Sequence, residues 1–207
     1  MKYTLVACSA IAVCLSTIVS MPAVAADGGG YAVSSVIDGT VGHDVQGVVG
    51  VNMAAGDSNL QSNATAVALG QERGRGVART NVVQSVDVGN VTVPDLSVAK
   101  IGGEAFSGAS GAIGINQASG AANAQANNVA IAFGVGAEVT AETDLAQTVT
   151  GEPLKAPVSG GEQQRHASVA DTAFSGTRGI VQLNQSAGVG NATGNNFALR
   201  FQMDAPK

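Results

Sequence analysis

The chain has 207 residues, with 28 Gly, five Phe, two Tyr, no Trp and a formal net charge of −5. Only 12% of it is charged, and much of its 45% hydrophobic share is Ala and Val rather than large side chains. This balance excludes a basic nucleic-acid footprint over the whole chain, a highly charged disordered tail and the large-residue core of an ordinary enzyme. What remains is a repetitive β structure rich in Gly, Ala and Asn.

Residues 1–25 read as a secretory signal peptide. Lys2 supplies the positive start, Leu5 to Val19 the apolar run, and Ala23-Val24-Ala25 the small-x-small exit, so the mature chain is expected to begin at Ala26. The apolar run is too short for a stable membrane span. Leu5-Val6-Ala7-Cys8 resembles a lipoprotein box, but almost no apolar region precedes it. Cys8 and Cys14 both lie in the segment to be removed, which leaves no thiol for a disulfide or metal site.

Three later segments align without a gap: 47–70 (GVVGVNMAAGDSNLQSNATAVALG), 111–134 (GAIGINQASGAANAQANNVAIAFG) and 179–202 (GIVQLNQSAGVGNATGNNFALRFQ). Among the columns that hold the same residue in all three copies are Asn52/Asn116/Asn184, Gly56/Gly120/Gly188, Asn59/Asn123/Asn191 and Asn63/Asn127/Asn195. Eleven of the 13 Asn fall inside these segments, so the register is not a by-product of composition. Residues 26–46 read as the N-terminal part of the first rung, and 203–207 as a C-terminal tail. Residues 71–110 and 135–178 read as solvated, irregular linkers. They hold Pro94, Pro153 and Pro157 and 17 charged residues, against two in the repeats, Asp57 and Arg200. Such linkers are expected to tolerate shortening. Weaker likenesses extend the repeat: Ala105-Phe106-Ser107-Gly108 with Ala173-Phe174-Ser175-Gly176, and Val82 to Val86 with Leu145 to Val149.

Each repeat reads as two strands around a bend. Val51/Ile115/Leu183 alternate with small or polar residues in the first arm. In the second arm Val67/Ile131/Leu199 and Leu69/Phe133/Phe201 share one face, with Ala66/Ala130/Ala198 on the other. That is period two, hence strand, and Gly56, Gly120 and Gly188 mark the bend. One repeat cannot bury its apolar face alone. Stacked in register, three would form an all-β, three-rung solenoid with rungs about 4.8 Å apart. The Asn columns would then become amide ladders, and the aliphatic and Phe columns a dry seam.

Gly47 to Asn63, GVVGVNMAAGDSNLQSN, resembles the imperfect G-V-x-x-x-N-x-A-A-G-x-x-N-x-Q-x-N repeat of the Fap family of bacterial functional amyloid subunits, and the other two copies match it at the Gly and Asn positions. The resemblance implies a secreted fibre of the biofilm matrix, exported through a dedicated outer-membrane pore. Its partners would be further copies of itself, related fibre subunits and biofilm polysaccharide, with no specific nucleic acid and no cofactor. The family pattern also includes a Cys-x-x-Cys near the C-terminus, whereas this chain ends FQMDAPK, which leaves the rank of major or minor subunit open.

Enzyme signals are weak. Gly56-Asp57-Ser58 resembles a hydrolase motif, but the other copies read Gly120-Ala121-Ala122 and Gly188-Val189-Gly190. His43 and His166 are the only histidines and lack neighbours at metal-ligand spacing. Glu138, Glu142 and Asp144 lack the repeat of a calcium β-roll and read as a solvated linker. Arg73, Arg75 and Arg79 read as a solvated loop, with contact to acidic polysaccharide or extracellular DNA as the alternative. A structural fibre subunit is therefore the leading function. A monomeric or trimeric β-roll surface adhesin is the alternative, and a secreted β-helix enzyme a remote one.

Overall fold

The computed structural model describes residues 24–25, 30–71, 74–89, 91–151 and 162–204, and the regular elements in them are all β-strands. The apolar part of the expected signal peptide and Pro153 and Pro157 lie outside the described residues.

After the two-residue β1 (Val24–Ala25), the first rung runs through β2 (Tyr31–Ile37), β3 (Gln46–Ala55), β4 (Leu60–Gln71) and β5 (Arg75–Asp87). The second follows with β6 (Leu96–Ile101), β7 (Ser110–Ala121), β8 (Ala124–Val135) and β9 (Glu138–Thr150). The third has β10 (Gln164–Val169), β11 (Arg178–Val189) and β12 (Ala192–Met203). Like strands pair, giving four sheets in the orders β1-β2-β6-β10, β11-β7-β3, β12-β8-β4 and β5-β9. Pairing between rungs is parallel and in register, with Asn52 beside Asn116 and Asn116 beside Asn184; only β1 runs antiparallel to its neighbour. A repeat in sequence thereby becomes a column in space, and the chain is a three-rung β-solenoid.

The sheets pack as successive layers with different fillings. Ile37, Ile101, Val51, Ile113, Ile115 and Phe106 form the apolar core between the first and second. Phe106 and Phe174 stack with ring centres 5.4 Å apart. The equivalent residue in the first rung is Gly42, and a side chain there would collide with the Phe106 ring. The third and fourth sheets meet through Ala130, Ala132, Ala78 and Val139. Small residues on both faces let these sheets approach closely.

At the arch between the second and third sheets, Gly56, Gly120 and Gly188 have φ of 97°, 127° and 127°. A Cβ on Gly56 would strike the Gly120 carbonyl oxygen, and one on Gly120 the Gly188 oxygen. The repeated Gly is therefore set by rung-on-rung contact as much as by the bend.

The structure departs from the sequence reading in two places. Segments 71–110 and 135–178, expected to be irregular, contain β5, β6, β9 and β10, all paired in register. Part of their charge belongs to strand faces: in β5, Arg75, Val77 and Arg79 point out while Gly76, Ala78 and Thr80 point in. Arg75 lies opposite Glu138 and Arg79 opposite Glu142, the latter pair 2.6 Å apart. Opposite charges facing each other across a ladder stabilise it, so a charged segment was mistaken for a loop.

The second departure concerns the apolar columns. Val51 and Ile115 are buried, and Leu183 packs on the same core. Ile131 is half-buried, but Val67, Leu69, Phe133, Leu199 and Phe201 are 40–59% exposed and form no dry seam. They share the face of Asn63, which looks toward the second sheet. The strands of that sheet begin only at Gln46, Ser110 and Arg178, so the last residues of β4, β8 and β12 overhang it, and nearer the arch a cavity lined by Val48, Val49 and Thr65 separates the two sheets. In β4 and β8 the covered face there is the alanine face, whereas Ala198 of β12 is exposed, the fourth sheet consisting of β5 and β9.

Candidate self-assembly site

The layer between the second and third sheets is polar. Asn116 Nδ2 donates to Asn52 Oδ1 and Asn184 Nδ2 to Asn116 Oδ1, both at 2.9 Å. Asn123 donates to Asn59 at 2.8 Å and Asn191 to Asn123 at 2.7 Å. Asn127 donates to Asn63 and Asn195 to Asn127, both at 3.0 Å. Two of the columns also bond to each other across the arch: Asn63 donates to Asn52, Asn127 to Asn116 and Asn195 to Asn184. Remaining N–H groups reach main-chain oxygens, such as Asn127 to Ile115 at 3.1 Å and Asn123 to Gly188 at 3.0 Å. All nine Asn singled out from the sequence thus form ladders in this layer, six in two cross-linked columns and Asn59, Asn123 and Asn191 in a third at the arch, and the columns donate in one direction, from later rung to earlier.

Asn116 and Asn123 are fully buried. A buried amide left unpaired costs roughly 1–3 kcal/mol. A one-residue slip would take each amide out of its column, setting Asn116 against Val51 or Met53 instead of Asn52, so the spine fixes register.

Glutamine ladders escaped the sequence reading. Gln61 donates to Gln125 at 2.9 Å, Gln185 to Gln117 at 2.9 Å and Gln147 to Gln84 at 2.8 Å. The signal was available, since Gln61 and Gln125 each precede a ladder Asn by two residues, but the third copy has Thr193 there.

The other candidate residues do not converge. Ser58 sits exposed at the arch with φ 55°, whereas His43 is 3.0 Å from Asp44, which precedes β3. His166 is exposed on β10, and Arg73 lies outside the described residues. Among the described residues, no three His, Cys, Asp or Glu side chains gather as a metal site. Two groups are electrostatically shifted. Burial, and secondarily the Asp57 carboxylate, push the Tyr31 phenol above its ordinary value. The Gly39 N–H and Lys100 hold Asp38 below the usual carboxylate range.

The stack ends in open edges. β3 and β11 flank the second sheet, and β4 and β12 the third. Each presents a row of main-chain donors and acceptors ready to pair with another strand.

Parallel in-register rungs, amide ladders in a buried layer and open edges at both ends define an amyloid-type β-solenoid. The chain belongs to the functional amyloid protein FapB/FapC family, whose profile matches residues 19–202. It is 34% identical over 146 residues to the functional amyloid subunit FapC of Pseudomonas aeruginosa, an alignment covering 68% of this chain and 39% of that protein. The chain therefore spans well under half the length of this curated relative. No solved structure matches it.

Proposed function

We propose that the protein is a secreted structural subunit of an extracellular amyloid fibre of the biofilm matrix. It acts by assembly rather than catalysis, and copies join end to end. The observation that carries this is the in-register spine of Asn columns, which stops at open edges on the first and third rungs. A second copy whose first rung lands on the third rung of another continues every Asn and Gly column. That contact is heterologous and does not close, so it yields a filament rather than a ring. Family membership supports further copies and related subunits as partners. Export through an outer-membrane pore and contact with biofilm polysaccharide belong to the same reading.

The test is to incubate the purified chain, without residues 1–25, at rest. Fibres with a meridional reflection near 4.7–4.8 Å support the proposal. A chain that stays monomeric or trimeric and binds a surface ligand supports the adhesin reading instead.

A further inference from the structure

The two ends of the stack carry opposite charge. Residues 30–71 contain Asp38, Asp44 and Asp57 and no Lys or Arg; with β5 and the residues before it, Glu72 and Asp87 against Arg73, Arg75 and Arg79 bring the first rung to a formal charge of −2. Residues 164–203 contain Arg165, Arg178 and Arg200 against Asp171 alone, a formal charge of +2.

Two of these charges interrupt otherwise neutral columns. Arg165 continues the column of Val33 and Ser97, which are 3% and 1% exposed. On the last rung the Arg side chain instead lies over the arch. A Cβ on Gly188 would be 2.9 Å from its Cδ and 3.0 Å from its Nε, and its Nη2 donates to Gln163. Asp57 stands exposed at the arch of the first rung, immediately after Gly56, where the later copies have Ala121 and Val189. Tyr31 and Gln163 belong to one column: the Asp95 N–H donates to the Tyr31 oxygen, and the Gln164 N–H to the Asp95 oxygen.

We propose that an ion pair between Arg165 of one copy and Asp57 of the next directs assembly, joining the third rung of the first copy to the first rung of the second. This rests on the end-to-end reading and adds the contact that sets its direction. With β1, which pairs with Tyr31 and Ala32 on that edge and falls in the expected signal peptide, removed, one further step of the same register puts the second copy's Gly56 over Gly188 and its Tyr31 over Gln163, about 4.8 Å away. Arg165 lies over Gly188, in the place the incoming Gly56 would take, so its side chain swings off the arch on docking. Asp57 of the second copy is next to that Gly56 in the chain, so its carboxylate arrives within reach of the displaced guanidinium group.

The chain already uses such pairs between its own rungs, at Lys100–Asp38 (3.5 Å) and Arg79–Glu142 (2.6 Å). Joining two third rungs would set Arg165 against Arg165, and joining two first rungs would set the three acids against themselves. Like-charge contact disfavours both wrong arrangements.

The experiment compares self-seeded elongation of wild type, Asp57→Lys, Arg165→Glu and the double variant. Each single reversal is expected to slow elongation by about tenfold or more. The double variant should return to within about threefold of wild type, and added salt should narrow the differences. Singles that elongate at the wild-type rate, or a double no faster than the slower single, overturn the ion pair. Both side chains are exposed in the single chain, so its fold does not depend on them. Should a reversal still unfold it, the cycle of Arg165→Gln and Asp57→Asn reads the same contact, and additive effects overturn it. Failure of the end-to-end reading looks different, because wild type itself then forms no fibre.

Discussion

Asn184 donates its side-chain amide to Asn116 Oδ1 at 2.9 Å, across 68 residues of sequence. The same oxygen accepts from Asn127 at 3.0 Å, while Asn116 Nδ2 donates to Asn52 at 2.9 Å and to the Ser62 carbonyl at 2.8 Å. The middle rung is thus the node through which the other two are aligned. A ladder amide is worth more than its own bonds, because it also decides which residues face each other along the whole strand.

Replacing the node should therefore cost more than one hydrogen bond. Asn116→Leu takes from Asn184 and Asn127 their shared acceptor and from Asn52 one of its two donors, the other being Asn63. A buried polar group that loses its last partner costs roughly 1–3 kcal/mol, and the Ser62 carbonyl loses the Asn116 amide as well. Fibres of this variant should form more slowly and dissolve at lower denaturant than wild type. The control is Ser85→Ala, on the outer face of β5. Ala121, a free loop position in the repeat alignment, is fully buried at the end of β7 and cannot serve. Equal dissolution midpoints for Asn116→Leu and Ser85→Ala would remove the ladder argument.

The Asn and Gly columns were legible in the sequence because stacking makes identical demands on every rung. An amide ladder needs Asn three times, and a carbonyl passing over Gly56 and Gly120 excludes a side chain each time. The fourth sheet was legible only in part. The likeness of Val82–Val86 to Leu145–Val149 falls on paired stretches of β5 and β9, whereas at the start of these strands Arg75 lies over Glu138 and Arg79 over Glu142, which complement rather than copy each other, so an identity search passes over that part. The fate of Leu69 and Phe133 was hidden for another reason. Period two shows which residues share a face, but not how far the neighbouring sheet extends over it.

Gly120 offers a sharper test of stacking than of bending. Its φ of 127° alone makes Ala unfavourable, and the new Cβ would also meet the Gly188 carbonyl of the next rung. Gly120→Ala should prevent in-register closure of the second and third rungs, with a loss of about 3 kcal/mol or more. Ser58→Ala, at a neighbouring turn position with φ 55°, carries no such clash and should lose far less. Protection of the β7 and β11 amides from hydrogen exchange would be lost in the first variant and kept in the second. Intact protection in Gly120→Ala would refute the contact.

The two apolar faces should respond differently to the same truncation. Ile113 is 1% exposed in the core between the first and second sheets, whereas Leu69 is 59% exposed. Ile113→Ala is expected to lose about 2–5 kcal/mol, and Leu69→Ala to change stability within about 0.5 kcal/mol. Denaturant dissociation of the fibres measures both. A large loss at Leu69 would mean that the overhanging face is covered in the fibre.

The length of the crossovers sets how far the chain can be shortened. Between the fourth sheet and the next first-sheet strand, the chain uses residues 88–95 after β5 and residues 151–163 after β9. Thr150 pairs in register with Asp87, and Gln164 with Leu96, so both crossovers join the same two positions, one rung apart. Eight residues complete the first journey, whereas thirteen are present in the second. Removing five residues within 152–161 should leave assembly at the wild-type rate, since the shortened segment still matches one that spans the gap. Removing all of 151–161 leaves only Glu162 and Gln163. At about 3.3 Å per residue they reach less than 10 Å, so β10 should be pulled off the edge of β6. Seeded elongation of the two deletions decides the matter: fast growth with the five-residue deletion and none with the eleven-residue deletion is the expected pair of results. Normal growth with both would mean that β10 is not needed in the assembling rung.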